Sequence, residues 1–232
     1  MTEIAGDFAE AWRRFGRLGS LVLSTETLEW EWTRGRTDYA ALLVRVTSAG
    51  VRGEIERVLG ELESIPGVDP YPEHYWHATV KGLGFVVEEP TRGDELSPGR
   101  LAKLAKESRP MLESTAAFEA RVGPAAGFAE VVIMEVHDGG AVRALNTRVM
   151  ESLEVLRTPV DGAVFLPHVS IARYKSQEGL GELKVRLAKL RGGAGEATMR
   201  VDEVELIMAR LSSEAPRFEV VERYRLEVGR GR

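Results

Sequence analysis

The chain has 232 residues, no cysteine and a formal net charge of −5. Without cysteine, disulfides, thiolate metal sites and a cysteine nucleophile are excluded, and the negative charge disfavours a long groove for duplex nucleic acid, which needs a positive field. No apolar run is long enough to span a bilayer, and no basic segment followed by an apolar one opens the chain, so we expect a cytoplasmic protein without a membrane partner.

Residues 1–37 differ in character from the rest and are predicted to form an N-terminal extension. Residues 7–17 have helical spacing, with Trp12 and Phe15 on one side and Asp7 as the N-cap. Residues 28–32 alternate apolar and acidic side chains, which predicts a strand or hairpin arm. We interpret the tryptophans of this arm as packing residues and not as a platform for stacked bases.

Residues 38–228 are predicted to form one domain in which a strand, a helix, a motif strand, a helix and further strands occur twice. The strands come in groups and do not alternate strictly with helices, so we predict an α+β fold with antiparallel sheets. A bilobal duplication with flanking helices is the simplest arrangement. The predicted strands are 39–46, 75–80, 117–122, 129–137, 163–174, 197–201, 204–211 and 218–228, and the predicted helices are 51–65, 98–114, 141–156 and 181–190.

Two segments in this domain have the same pattern, His-x-(Thr/Ser)-x with small or apolar residues at x: 77–80 and 168–171. Both lie in predicted strands, where residues i and i+2 point to the same face. His77 therefore shares a face with Thr79, and His168 shares one with Ser170. If the two strands lie side by side, two imidazoles and two hydroxyls converge on one small space.

This set matches the needs of phosphoryl chemistry. A base must deprotonate water, an acid must protonate the leaving alkoxide, and donors must neutralise the phosphoryl oxygens. Histidine serves as either acid or base near neutral pH because its ordinary pKa is about 6.5. We therefore predict His77 and His168 as the acid–base pair and Thr79 and Ser170 as phosphate-binding residues. The alternative is two half-buried structural histidines.

The paired pattern resembles the signature of the two-histidine (2H) phosphoesterases, which include 2′-5′ RNA ligase-like proteins and RNA 2′,3′-cyclic phosphodiesterases. The flanking sequences are similar too: Leu83-Gly84 follows the first motif, and Pro167 and Arg173 bracket the second. The resemblance covers residues 39–228. It implies a bilobal α+β fold with the active-site cleft between the lobes.

The resemblance further implies hydrolysis of 2′,3′-cyclic phosphate ends of RNA or of small cyclic nucleotides, with 2′-5′ ligation as the reverse reaction in some members. It implies no cofactor and no metal. Expected partners are an RNA end or a small nucleotide, with no long duplex, and the expected state is a monomer. The remaining alternative is a module that binds nucleotides or RNA ends with little catalysis. Which histidine is the base stays open.

Five further residues near the motifs are candidates for substrate binding. Arg173 is expected to contact phosphate or the outer end of the substrate. Gly82 stands where related sequences have an aromatic residue, so Phe85, Tyr174 or Trp76 is expected to supply a stacking ring. Lys81 borders the first motif, although a solvated charge is the simpler interpretation.

The two other histidines fit structural roles. His74 and His77 have the spacing of metal ligands, but in a strand residues i and i+3 face opposite sides. We therefore predict His74 as a rim or loop residue. His137 precedes Asp138-Gly139-Gly140 and is predicted to end a strand before a turn.

Overall fold

The computed structural model describes residues 7–193, 195–211 and 215–227, and the side chains of residues 26–28 lie outside this description. The part of the chain so described contains ten strands and six α-helices. The strands are β1 Asp38–Arg45, β2 Val68–Pro70, β3 His77–Val86, β4 Glu95–Leu96, β5 Phe118–Gly127, β6 Val131–His137, β7 His168–Tyr174, β8 Ala197–Val201, β9 Glu203–Arg210 and β10 Phe218–Arg225. The helices are α1 Phe8–Arg17, α2 Glu26–Thr33, α3 Ala49–Leu62, α4 Pro98–Glu113, α5 Ala141–Ser152 and α6 Leu180–Gly192.

The strands form one sheet in the order β10-β9-β1-β3-β7-β6-β5-β8. It consists of two antiparallel four-stranded halves, each with a motif strand, β3 or β7, at its inner edge. Two short strands extend the motif strands: β4 pairs parallel with the C-terminal end of β3, and β2 pairs antiparallel with the C-terminal end of β7. The duplicated α+β arrangement predicted from the order of elements is confirmed.

The two halves meet where Ala78 pairs with Val169. The strands run antiparallel and then separate, since β4 and β2 occupy the flanks of β3 and β7 farther along. Ala78 is 1% exposed and Val169 is fully buried, and both belong to the main hydrophobic core. The core therefore runs continuously beneath both halves and holds the motif strands together.

Each half is backed by two helices whose apolar stripes face this core. Helices α4 and α5 contact β10 and β3 of the first half, and α3 and α6 contact β7, β8 and β5 of the second. The sequence marks where they begin: Ser48 and Ser97 accept hydrogen bonds from the backbone N–H groups of Val51 and Arg100 and so cap α3 and α4.

The N-terminal extension matches its prediction in α1 and differs from it in α2. Asp7 caps α1 by accepting a bond from the backbone N–H of Glu10, as expected. Residues 28–32, predicted as a strand, belong to a helix that ends at Thr33. The guanidinium of Arg36 donates to the backbone oxygens of Trp32 and Thr33, so it satisfies the carbonyls at the end of α2.

Strand boundaries differ from prediction at the two motifs. Strand β3 continues to Val86 because two β-bulges absorb the irregular sequence after Val80. Strand β7 begins only at His168, since a 3₁₀ turn over Gly162–Val164 precedes it. The predicted last strand ends at Arg225, and its final residue, Val228, lies outside the described residues. No described helix has the length and apolarity that crossing a bilayer requires.

Candidate active site

The four motif side chains lie on one face of the sheet. His77, Thr79, His168 and Ser170 are all partly exposed, whereas the intervening Ala78 and Val169 are buried. Because Ala78 pairs with Val169, continuing the antiparallel register by one residue in each direction places His77 opposite Ser170 and Thr79 opposite His168. The structure thus brings together the four residues that the sequence singled out.

The two imidazoles are held in the same way. His77 Nδ1 lies 2.5 Å from the backbone oxygen of Tyr75, and His168 Nδ1 lies 2.7 Å from that of Leu166. A carbonyl only accepts, so each Nδ1 carries the hydrogen, and the Nε2 of a neutral ring is then an unprotonated base. In each case the carbonyl belongs to the residue two positions before the histidine.

Burial lowers the pKa of both histidines, because it disfavours the charged imidazolium. For His77 the pKa falls to about 4; the charge of Arg45 contributes to this shift, as does that of His168 when His168 is protonated. The carbonyl bonds of Tyr75 and Leu166 act in the opposite direction on the two rings. Both rings are therefore neutral in the free protein at pH 7.

The cross-strand neighbours of the histidines have opposite charges. His77 pairs in register with Arg45 of β1, and His168 pairs with Glu135 of β6. The guanidinium of Arg45 is bound to Glu205 at 2.8 Å. The Glu135 carboxylate is 1% exposed and is bound by Arg191 and by His137.

Sequence reasoning did not select Arg45 or Glu135 as site residues. The available signal was a charge at the end of a buried strand in the first case, and a charge inside the apolar stretch 131–136 in the second.

Each imidazole also has a phenylalanine against it. Phe218 meets the His77 ring edge-on at 5.0 Å between centroids, and Phe128 meets the His168 ring in the same way at 5.0 Å. Neither phenylalanine was predicted, because both lie far from the motifs in sequence. These rings restrict the rotation of the imidazole side chains and contribute to their desolvation.

A bulge follows the hydroxyl residue in both motif strands and determines which later side chains share the site face. Val80 is the extra residue after Thr79, and Ile171 is the extra residue after Ser170. Each bulge reverses the alternation of faces beyond it. In β7 this returns Arg173 to the face of Ser170, where its Nε donates to Asp69 at 2.7 Å. The role of Arg173 in substrate binding stays a prediction.

The same bulges place Lys81 and Tyr174 on the core side, which disagrees with the prediction that they bind substrate. Lys81 pairs with the buried Leu42 and is 1% exposed, and its ammonium lies 2.5 Å from the Asp161 carboxylate. Tyr174 is fully buried, and its hydroxyl lies 3.4 Å from the backbone oxygen of Phe128. In a regular strand Lys81 would have shared a face with Thr79.

The predicted stacking rings are also inaccessible. Phe85 is 1% exposed and packs against Tyr39, with the Arg36 guanidinium 3.7 Å from its ring centre. Trp76 is 4% exposed and donates its indole N–H to the backbone oxygen of Tyr71.

The glycine at position 82, where related sequences have an aromatic residue, has a steric explanation. A Cβ at this position would come within 2.5 Å of the Tyr39 hydroxyl, so Tyr39 of the neighbouring strand occupies the space above it. The aromatic ring near the glycine therefore comes from β1 and not from the motif strand.

The remaining histidines make other contacts. His74 lies in a 3₁₀ turn, and its Nε2 is 3.4 Å from the backbone oxygen of Ala215. His137 is the last residue of β6, as predicted. Within residues 7–193, 195–211 and 215–227, no three histidine or acidic side chains are grouped so as to hold a metal ion.

A family model described as the 2′-5′ RNA ligase superfamily matches residues 51–211, which is more than two thirds of the chain. The chain belongs to this superfamily. Both motifs fall inside the matched range, and α1, α2 and β1 fall outside it. No curated protein matches the sequence.

Solved structures similar to this superfamily member share its fold at low sequence identity. TT0787 of Thermus thermophilus is 19% identical, with a TM-score of 0.56 over 82% of this chain and 99% of its own. E. coli LigT in complex with phosphate is 14% identical, with a TM-score of 0.55 over 83% and 99%. The ATU0111 protein from Agrobacterium tumefaciens str. C58 is 12% identical, with a TM-score of 0.58 over 80% and 86%.

Proposed function

We propose that the protein is a phosphodiesterase that hydrolyses 2′,3′-cyclic phosphates, at RNA ends or on small nucleotides, by acid–base catalysis between His77 and His168. The observation that carries the proposal is the common arrangement of the two rings. Each is oriented by a backbone carbonyl at Nδ1, and both lie on the face that carries Thr79 and Ser170.

We assign His77 as the base. Its low pKa keeps it neutral, and the neighbouring Arg45 adds to this effect. Its Nε2 would take a proton from the attacking water while the water oxygen bonds to phosphorus. The bond from phosphorus to one ribose oxygen then breaks, and the product is a phosphomonoester with a free ribose hydroxyl.

His168 is then the acid that protonates the leaving ribose oxygen. Its pKa is also lowered by burial, so it needs a counter-charge to hold a proton. The anionic phosphate supplies this charge when substrate binds, because a negative group beside an imidazole favours its protonated form. No cation corresponding to Arg45 pairs in register with it, since its neighbour is Glu135.

The hydroxyls of Thr79 and Ser170 are proposed to donate hydrogen bonds to the non-bridging phosphoryl oxygens. Each is two residues from a histidine and on the same face, so a phosphate placed between the rings is within reach of both. Such donors act most strongly where negative charge develops in the transition state. E. coli LigT, which has a similar fold, has been solved in complex with phosphate and with 3′-AMP, and these complexes support a phosphate ligand here.

The test is turnover of a 2′,3′-cyclic mononucleotide in the presence and absence of EDTA. Wild-type protein should hydrolyse it equally in both, and His77→Ala or His168→Ala should reduce the rate by about 10²- to 10⁴-fold. Full activity in either variant, or loss of activity with EDTA, would contradict the mechanism.

Assays on the same purified protein distinguish two alternative functions, a ligase and a binding module. A ligase would join 2′,3′-cyclic and 5′-hydroxyl ends through the reverse reaction at the same site. A binding module would bind a nucleoside monophosphate tightly without turnover of any diester. A bell-shaped dependence of kcat/KM on pH would favour the enzyme, because it reports one base and one acid.

A further inference from the structure

A cavity of about 490 Å³ ends at His168. Three segments surround it: helix α1, the turn between β5 and β6, and residues 159–166 before β7. Helix α1 lies outside the range that the superfamily model matches. One wall of this cavity is therefore made by a segment outside the matched range.

The lining of the cavity is mainly apolar and aromatic. It includes three phenylalanines and two valines: Phe15, Phe128, Phe165, Val160 and Val164. The charged side chains of Arg14 and Glu130 also line it. Binding sites for small organic ligands have this composition and a volume of roughly 300–1,000 Å³. In size and lining the cavity thus suits an aromatic organic group that carries some polar atoms.

Helix α1 is fixed in place as a wall. Phe15 is 1% exposed and packs where Gly127 leaves no side chain, and any Cβ at Gly127 would overlap its ring. Lys184 of α6 donates to the backbone oxygens of Gly16 and Leu18, at 3.0 and 2.6 Å, at the C-terminal end of the helix. The cavity is therefore formed before any ligand binds.

We propose that this cavity binds the nucleobase of the substrate. The inference rests on the proposed function, in which His168 protonates the leaving ribose oxygen. Both ester oxygens of a 2′,3′-cyclic phosphate belong to one ribose, and in this assignment the oxygen that leaves faces His168, opposite the attacking water. The nucleoside then extends from the phosphorus toward His168 and away from His77. His168 itself lines the cavity, so the cavity reaches the proposed acid.

Val160 offers a test because it lines the cavity and is 54% exposed, so its substitution should not disturb the core. Val160→Trp should fill the space. Val185→Trp is the matched control, because Val185 is 72% exposed on α6 and does not line the cavity. Binding of 3′-AMP and of inorganic phosphate is measured by calorimetry for both variants and for wild type.

We expect wild type to bind 3′-AMP at least tenfold more tightly than phosphate. Val160→Trp should weaken 3′-AMP binding by at least tenfold and leave phosphate binding within twofold. Val185→Trp should change neither. Unchanged 3′-AMP binding in Val160→Trp, or an equal loss in Val185→Trp, overturns the proposal.

A second variant, Val164→Trp, fills the cavity from the same segment and replaces Val160→Trp if thermal melting shows that the latter is unfolded. Turnover separates the two proposals. If no diester is hydrolysed but the base-dependent loss of binding occurs, the proposed function fails and the nucleobase site stands. If diesters are hydrolysed and the loss is absent, the nucleobase site fails alone.

Discussion

Ala78 and Val169 face each other at the point where the two halves of the sheet join, and each lies between a histidine and a hydroxyl residue. Neither side chain is polar, yet this pair decides the geometry of the site. Both point into the core, so the residues on either side of each must point into the cleft. The catalytic proposal depends on this register.

The roles of the two histidines can be separated with leaving groups of different basicity. His77→Ala should slow hydrolysis of both a 2′,3′-cyclic nucleotide and a p-nitrophenyl phosphodiester by about 10²- to 10⁴-fold, because both need an activated water. His168→Ala should slow only the cyclic substrate to this extent, since nitrophenolate leaves without a proton. Steady-state kinetics measure both, and the reverse pattern would exchange the roles.

Removal of the hydroxyl from Thr79 should reduce kcat more than it raises KM. Thr79→Val keeps the shape and removes the donor, and a lost oxyanion donor costs roughly 10²- to 10³-fold in kcat. Thr79→Ser keeps the donor, as Ser170 does in the second motif, and should stay within a few fold of wild type. Equal activity of the valine and serine variants would show that Thr79 does not contact the phosphoryl oxygens.

The low pKa of His77 predicts a loss of stability in acid. In the unfolded chain the group has a pKa of about 6.5, and in the folded protein the pKa is about 4. Between these values the unfolded state binds more protons, so the free energy of unfolding falls as the pH is lowered from 6.5 to 4.

His77→Gln should reduce this dependence when thermal midpoints are measured across the same pH range, and His168, whose pKa burial also lowers, keeps part of it. His74→Gln, at an exposed histidine, is the control and should leave the profile unchanged. A wild-type slope retained in His77→Gln would contradict burial as the cause of the shift.

The buried ion pair of Lys81 and Asp161 should matter for stability. Asp161 also accepts from Asn146, which in turn donates to the backbone oxygen of Val80, so the network ties β3 to the segment before β7. Lys81→Met leaves a carboxylate without its cation, and breaking a buried pair costs about 3–5 kcal/mol. Lys103→Met should cost under about 1 kcal/mol, because Lys103 is exposed and bridges Glu107 on the helix surface.

Urea unfolding measures the free energy of unfolding of the Lys81→Met and Lys103→Met variants. Equal effects of the two substitutions would show that the buried pair contributes no more than a surface one.

The sequence by itself determined the two motif strands, the face shared by each histidine and its hydroxyl, and the α+β order of elements. These follow from local rules, since the period of a strand is two and helices begin at capping residues such as Asp7 and Ser97. Residues 28–32 show the limit of such rules. Their alternation predicts a strand, but they form part of a helix. Trp32 packs on Phe85, and Arg36 donates to the backbone oxygen of Trp32 at the end of that helix.

Only the tertiary structure decided which residues after the motifs face the cleft. The bulges at Val80 and Ile171 depend on pairing with neighbouring strands, which no local pattern encodes. They send Lys81 into the core and keep Arg173 on the site face. The opposite charges beside the histidines, Arg45 and Glu135, arise in the same way, because register joins residues that are distant along the chain.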